Sequence, residues 1–180
     1  WEKTFGDVYR KSIEEGALSC MIGHIALPEY SKVLDPNLKD EEILPATLAK
    51  EITTTLLREK LGFNGLVVTD ATAMAGFALP MPREKAVPMS IAAGNDMFLF
   101  TRNMDEDFYF MKKGIEEGVI TSERLDEALT RILGMKAALK LHTKQQNNEL
   151  APNLERAKEI IGNAKHQEWA KECADKSITL

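Results

Sequence analysis

Gly62-Phe63-Asn64-Gly65-Leu66-Val67-Val68-Thr69-Asp70-Ala71-Thr72-Ala73-Met74 is the stretch whose reading determines the fold. Leu66 to Thr69 is apolar or β-branched without polar alternation, which suits a strand covered on both faces, as parallel strands in α/β proteins are. Phe63-Asn64-Gly65 supplies the turn that feeds it. Asp70 then stands at the carboxyl end of that strand, where ligands bind in barrels and open α/β sheets. A carboxylate leaving a buried strand costs desolvation unless it meets donors or a cation, so a folded protein tolerates it best at a site. An Asp there equally suits the cap of a helix over Ala71 to Phe77, and the local pattern leaves both readings open. Met74 lies one helical turn beyond Asp70, where core packing and a pocket wall are the alternatives.

Working outward, Pro45 to Leu61 reads as a helix, with Pro near its start and Gly62 just past its end. Before it, Val8 to Glu15 is amphipathic and closed by Gly16, and the first half of Ala17 to Leu27 reads as another buried strand. His24 follows that strand, as a substrate contact or as a satisfied loop histidine. Downstream, a short helix over Ala86 to Ala93 leads to a third strand, Met97 to Thr101. Arg102 follows it, suited to an anionic or hydroxyl-rich ligand or simply to solvent. Strands alternating with helices indicate an α/β protein, and parallel strands would bring His24, Asp70 and Arg102 to one rim. The chain then turns helical over Asp105 to Glu117 and from Thr121 or Ser122 to Leu141, where Leu125, Leu129, Ile132, Met135 or Lys136, and Leu139 recur at three- and four-residue steps as one stripe expected to face a core. A polar linker is expected between His142 and Pro152, helices over 153–162 and 166–176, and the start of a further strand at Ser177 to Leu180.

The 180 residues include 44% hydrophobic and 28% charged types, the composition of a globular chain with a sizeable core. Lys and Arg number 23 against 28 Asp and Glu, a net charge of −5 without a basic block, so no nucleic-acid or anionic-lipid partner is expected. Apolar runs such as Met97 to Phe100 fall far short of the roughly 20 residues of a membrane helix. Cys20 and Cys173 form no paired motif, and His24, His142 and His166 lack metal-ligand spacing, so no metal and no cofactor is expected. The chain opens at Trp1 in a charged amphipathic stretch without the regions of a signal peptide, so the natural start is expected upstream, with the compartment left open as cytoplasmic or secreted.

The segment Gly62 to Met74 resembles the nucleophile strand of family 3 glycoside hydrolases. Met21-Ile-Gly-His24-Ile-Ala-Leu-Pro28 resembles the preceding strand of that family's barrel, Leu44-Pro-Ala-Thr-Leu48 with Leu56-Leu-Arg58 the intervening helix, and Ala93-Gly-Asn-Asp-Met97 the eighth strand. Arg131-Ile-Leu-Gly-Met-Lys136 resembles the helix after the barrel, and Ala170 to Leu180 the entrance to a second α/β domain. The resemblance implies an α/β fold: the later part, about strands six to eight, of a (β/α)8 TIM barrel, followed by linker helices. It divides the chain into 1–142, the C-terminal part of the barrel domain, and 143–180, leading toward the second domain.

It also implies that Asp70 is the catalytic nucleophile of a retaining β-glycoside hydrolase, with His24, Met74 and Arg102 around a carbohydrate substrate. Such an enzyme needs a carboxylate that attacks the anomeric carbon and a second group that protonates the leaving oxygen and later activates water. The histidine segment that supplies the acid in the family's N-acetylhexosaminidase branch, a K-H-F-P-G-H-G-D-T-like run, is not found here. In the β-glucosidase branch a glutamate from the second domain usually serves. Thr69-Asp70-Ala71 lacks the aromatic that commonly follows the nucleophile in β-glucosidases, and His24 replaces a Tyr, so the resemblance leans toward β-N-acetylhexosaminidase. The 180 residues alone are expected to be inactive and to self-associate through exposed sheet edges. Aldolase-like, phosphate-binding and receiver readings fail for want of a strand-end lysine, clustered glycines and an acidic pair.

Overall fold

The computed structural model describes residues 1–178; of the strand expected over Ser177 to Leu180, Ser177 instead closes a helix and residues 179–180 lie outside the described residues. Two compact units are present, Trp1–Met135 and Lys136–Leu180. In the first, helix α1 (Phe5–Glu14) leads to strand β1 (Ser19–Ile22), helix α2 (Pro28–Leu34), two short 3₁₀ turns (Asp40–Glu42 and Ala46–Leu48), and a helix wound in the wide π form (Glu51–Lys60). Strand β2 (Leu66–Thr69) follows, then α3 (Ala75–Ala78), α4 (Arg83–Ala92), α5 (Met104–Glu116) and α6 (Ser122–Ala138).

β1 and β2 pair in parallel, with Ser19 opposite Leu66 and Ile22 opposite Thr69. Parallel strands need a long crossover, and α2 with the π-helix supplies it. One core gathers Ile22, Ala49, Ile52, Leu57, Phe63 and Val67, and a second gathers Leu48, Phe77, Ala86 and Val87. Helices α4 and α5 cross where Gly114 meets Pro88, and a Cβ on Gly114 would come within 2.3 Å of the proline ring. Only glycine permits that approach.

Several expectations are corrected. The third strand, Met97 to Thr101, is reduced to one parallel bridge between Val68 and Met97. The Val67 carbonyl accepts from both Asp96 and Met97 amides, at 2.7 and 3.1 Å, and the Leu99 amide donates to the Thr69 hydroxyl instead of a backbone carbonyl. Phe100 then turns into the left-handed region at φ 54°, which ends any ladder. The helix expected from Pro45 begins only at Glu51, after a 3₁₀ turn, and its last bond runs from the Leu61 amide to the Leu56 carbonyl, five residues back. β1 is not covered on both faces: Ser19 and Met21 are exposed and only Ile22 is buried. An open apolar cavity of about 340 Å³ lies against it, lined by Trp1, Phe5, Cys20, Met21, Ile52 and Leu57 among others. Neither Asp70 nor His24 lines that cavity.

Asp96, just before the Met97 bridge, is a fully buried carboxylate at the amino end of the third segment. It accepts from the Val67 amide at 2.9 Å and from Arg58 Nη2 at 2.6 Å, pairs with Arg124, and lies 3.5 Å from Arg131 Nη1. Arg58 also donates to the carbonyls of Gly94 and Gly65, tying the π-helix to both chain segments. Burial pulls the Arg58 guanidinium below its ordinary value, against the opposing pull of Asp96.

α6 runs across the boundary at Met135 and ends at Ala138; in the second unit Lys140, at φ 55°, precedes α7 (Leu141–Gln146). The linker expected between His142 and Pro152 is therefore partly helical. Lys and Gln are good helix formers even where nothing is buried, and none of α7 is buried. Helices α8 (Leu154–Ile160) and α9 (Ala164–Ser177) occur where the sequence places them, each capped by an asparagine, Asn153 and Asn163.

Candidate active site

The Asp70 amide donates to the Ile22 carbonyl at 3.0 Å, the bond by which β1 hands over to the rim. Its side chain is half-buried, and Oδ1 accepts from the next amide, Ala71, at 2.6 Å. Oδ2 has no protein hydrogen bond among the described residues. The capping alternative does not hold, because residues 72–74 form a turn and α3 begins only at Ala75 with Met74 at the cap position. Met74 is 48% exposed, so it is not core.

His24 leaves β1 at the same end, since the strands are parallel. Its Nδ1 lies 2.8 Å from Thr47 Oγ1 and its Nε2 lies 3.0 Å from the Ala71 carbonyl. A carbonyl only accepts, so Nε2 carries a proton, while Nδ1 faces Thr47 Oγ1, whose hydroxyl also reaches the Gly23 and Ile22 carbonyls at 3.0 and 3.3 Å. The ring stands 5.3 Å from that of Phe77. Gly76 makes room for this segment, because a Cβ there would come within 2.6 Å of the His24 carbonyl.

Arg102 follows the third segment and is exposed. Its anchored group is the backbone amide, which donates to Asp107 Oδ2 at 3.1 Å. Asp107 in turn takes both arms of Arg83, each at 2.7 Å, in a fork held among Phe77 and Phe98, whose ring centres lie 5.7 and 5.6 Å from the guanidinium carbon. Arg83 also donates to the Thr72 carbonyl at 2.9 Å and hydroxyl at 3.0 Å, and the Thr72 hydroxyl donates to the Phe100 carbonyl at 2.8 Å. The turn carrying Asp70 is thus held by Thr47 through His24 on one side and by Arg83 on the other. Sequence reading singled out none of Thr47, Thr72, Arg83 or Asp107. The nearest signals were Pro82 before α4 and the acidic first turn of α5, and neither says that the two helices exchange an ion pair.

Among the described residues no group of three or more His, Cys, Asp or Glu could hold a metal ion. The site's chemistry is that of one half-exposed carboxylate on a turn held from both sides, with the exposed Met74 on the same turn.

A model of the glycosyl hydrolase family 3 N-terminal domain matches residues 2–135. The chain is 52% identical over 180 residues to a β-N-acetylglucosaminidase/β-glucosidase of Cellulomonas fimi, covering all of this chain and 31% of that protein. It is 28% identical over 169 residues to β-hexosaminidase A of Pseudoalteromonas piscicida, covering 88% of this chain and 27% of that one. The chain therefore spans less than a third of the length of these relatives. Among solved structures, β-glucoside phosphorylase BglX bound to 2FGlc superposes with a TM-score of 0.93 at 47% identity, over 100% of this chain and 32% of that one. The parallel strands, the helical crossover and the order of elements agree with the later barrel part of that domain, and the chain belongs to glycosyl hydrolase family 3.

Proposed function

We propose that these residues are the nucleophile-bearing part of a retaining β-glycosidase acting on β-linked N-acetylglucosaminides, with β-glucosides as the alternative substrate. The observation that carries this reading is Asp70, half-exposed at the carboxyl end of β2 with Oδ2 unclaimed by the protein. Asp70 attacks the anomeric carbon as the glycosidic bond breaks and a general acid protonates the leaving oxygen; an acceptor then displaces the carboxylate. Residues 1–142 close the barrel domain and 143–180 lead toward a second domain. Met74 and Arg102 border the sugar. No general acid is assigned within these residues, so the 180-residue piece by itself is inactive, and the free edge of β1 makes it self-associate.

Incubation with a 2-deoxy-2-fluoro glycoside tests the assignment, because the slowed ester should appear by mass on the peptide containing Asp70. Labelling elsewhere, or normal turnover by Asp70→Asn on both aryl N-acetylglucosaminide and aryl glucoside, would exclude it. A second reading differs only in the acceptor. The likeness to a β-glucoside phosphorylase over the whole chain favours phosphate in place of water, and formation of a sugar 1-phosphate in phosphate buffer separates the two.

A further inference from the structure

We infer that His24 is a positioning residue for Asp70, holding the Ala71 peptide that orients the Asp70 carboxylate, and does not hydrogen-bond the sugar through its ring. This deepens the nucleophile assignment and rests on it.

Three hydrogen bonds run in series. Thr47 Oγ1 shares a hydrogen bond with His24 Nδ1 (2.8 Å), His24 Nε2–H donates to the Ala71 carbonyl (3.0 Å), and the Ala71 amide donates to Asp70 Oδ1 (2.6 Å). Ala71 is held at both its polar groups, and its carbonyl takes a second bond from the Met74 amide at 3.0 Å, which uses both acceptor sites of that oxygen. Both ring nitrogens are therefore committed to the protein, leaving none for a sugar hydroxyl or for proton transfer to a leaving oxygen. Thr47 is fully buried and also lies 3.0 Å from the Gly23 carbonyl, so the start of this series is fixed by the core. Phe77, also fully buried, flanks the ring, and Gly76 lets the backbone of His24 approach closely. A nucleophile attacks well only from a narrow range of positions, and a displacement of about 1 Å costs on the order of 10²-fold in rate. A ring that sets the Ala71 amide sets which Asp70 oxygen is bound and which is free to attack.

The test uses the whole protein that carries this chain, as wild type, Thr47→Val, His24→Gln and His24→Phe, with dinitrophenyl β-glycosides of N-acetylglucosamine and of glucose. The expected result is a fall in the rate of glycosyl-enzyme formation of about 10- to 100-fold in His24→Phe, with KM within about threefold of wild type. Thr47→Val should show a smaller fall. His24→Gln, which can still donate an amide N–H to the Ala71 carbonyl, should recover part of the rate. In parallel, ¹⁵N spectra of the imidazole should show a ring protonated at Nε2, with the Nδ1 signal moved by Thr47→Val. A rise in KM at unchanged kcat would mean that the ring grips the sugar, and unchanged kinetics in both His24 variants would mean that it does nothing for the nucleophile; either overturns the inference. A ring protonated at Nδ1 alone would do so as well. If His24→Phe does not fold, Thr47→Val and His24→Gln carry the kinetic test. If the wild type turns over neither glycoside, the glycosidase reading has failed, and the spectra still decide whether the three-bond series exists.

Discussion

Asp70 and Asp96 end and begin neighbouring parallel segments and are held in opposite ways. Asp70, at the carboxyl end of β2, keeps one oxygen unclaimed and takes a single hydrogen bond, from its own neighbour. Asp96, at the amino end of the third segment, is wholly buried among Arg58, Arg124 and Arg131 and also takes the Val67 amide. Burying a carboxylate is tolerable only when cations and donors replace water, and that is what the amino end supplies. A reacting carboxylate must instead keep a lone pair free, and its position must be fixed through backbone rather than through the charge. The same residue type is therefore a structural rivet at one end and a candidate reagent at the other.

The largest expected effect falls on Asp70. In the protein that carries this chain, Asp70→Asn should lower kcat on its aryl glycoside by about 10⁴-fold or more while leaving the melting temperature nearly unchanged. Loss of stability without loss of intrinsic rate would reverse the contrast drawn here. Asp96→Ala should do the opposite. It removes the buried carboxylate that three guanidinium groups share, leaving Arg58 with none among the described residues and Arg124 and Arg131 with only the exposed Glu127, and should cost about 3–5 kcal/mol in denaturant unfolding, with the folded fraction retaining near-normal turnover. A cost below about 1 kcal/mol would show that the arginines reach solvent instead.

Arg83→Met lies between the two. It frees the buried Asp107 and two contacts on Thr72, so about 2–3 kcal/mol of stability and roughly tenfold in kcat should be lost together. Unchanged kcat would show that Thr72 does not steady the Asp70 turn.

The smallest effect concerns Cys20, in mid-β1 between the two ends. Burial pushes its thiol up from the ordinary value, whereas Cys173 is exposed. The folded chain therefore holds the Cys20 proton more tightly than the unfolded chain. The associated stability is fully present below the unfolded value and is lost as pH rises through the raised one. Iodoacetamide at pH 8 should alkylate Cys173 several-fold faster than Cys20, as mass mapping would show, because the thiolate is the nucleophile. Equal rates would mean that β1 is open to solvent along its length.

Much of the frame was legible because it depends on local pattern. Leu66 to Thr69 lacks polar alternation, and such a run with helices on either side has few options other than a parallel strand. The helices expected over 153–162 and 166–176 occur close to those bounds, and their caps, Asn153 and Asn163, which the sequence reading did not name, are also local, each side chain accepting from the third helical amide. The third strand was misjudged for a converse reason. Met97 to Thr101 has strand composition, but the hydroxyl of Thr69 captures the Leu99 amide, and that capture depends on how two segments 30 residues apart are packed.

The sequence by itself determined the α/β class, the parallel sense of the strands and the place of Asp70 at a strand end, since each follows from the order and spacing of apolar residues. It also placed His24 at the end of the strand beside that of Asp70, where its ring meets the Ala71 carbonyl. Only the tertiary structure decided what holds these groups. His24 meets Ala71 across 47 residues and Thr47 across 23, and Arg83 meets Asp107 across 24. Hydrogen bonds of that kind are selected by the packing of buried surfaces, which brings donors and acceptors together after the elements have docked, and no local propensity encodes which pairs will meet.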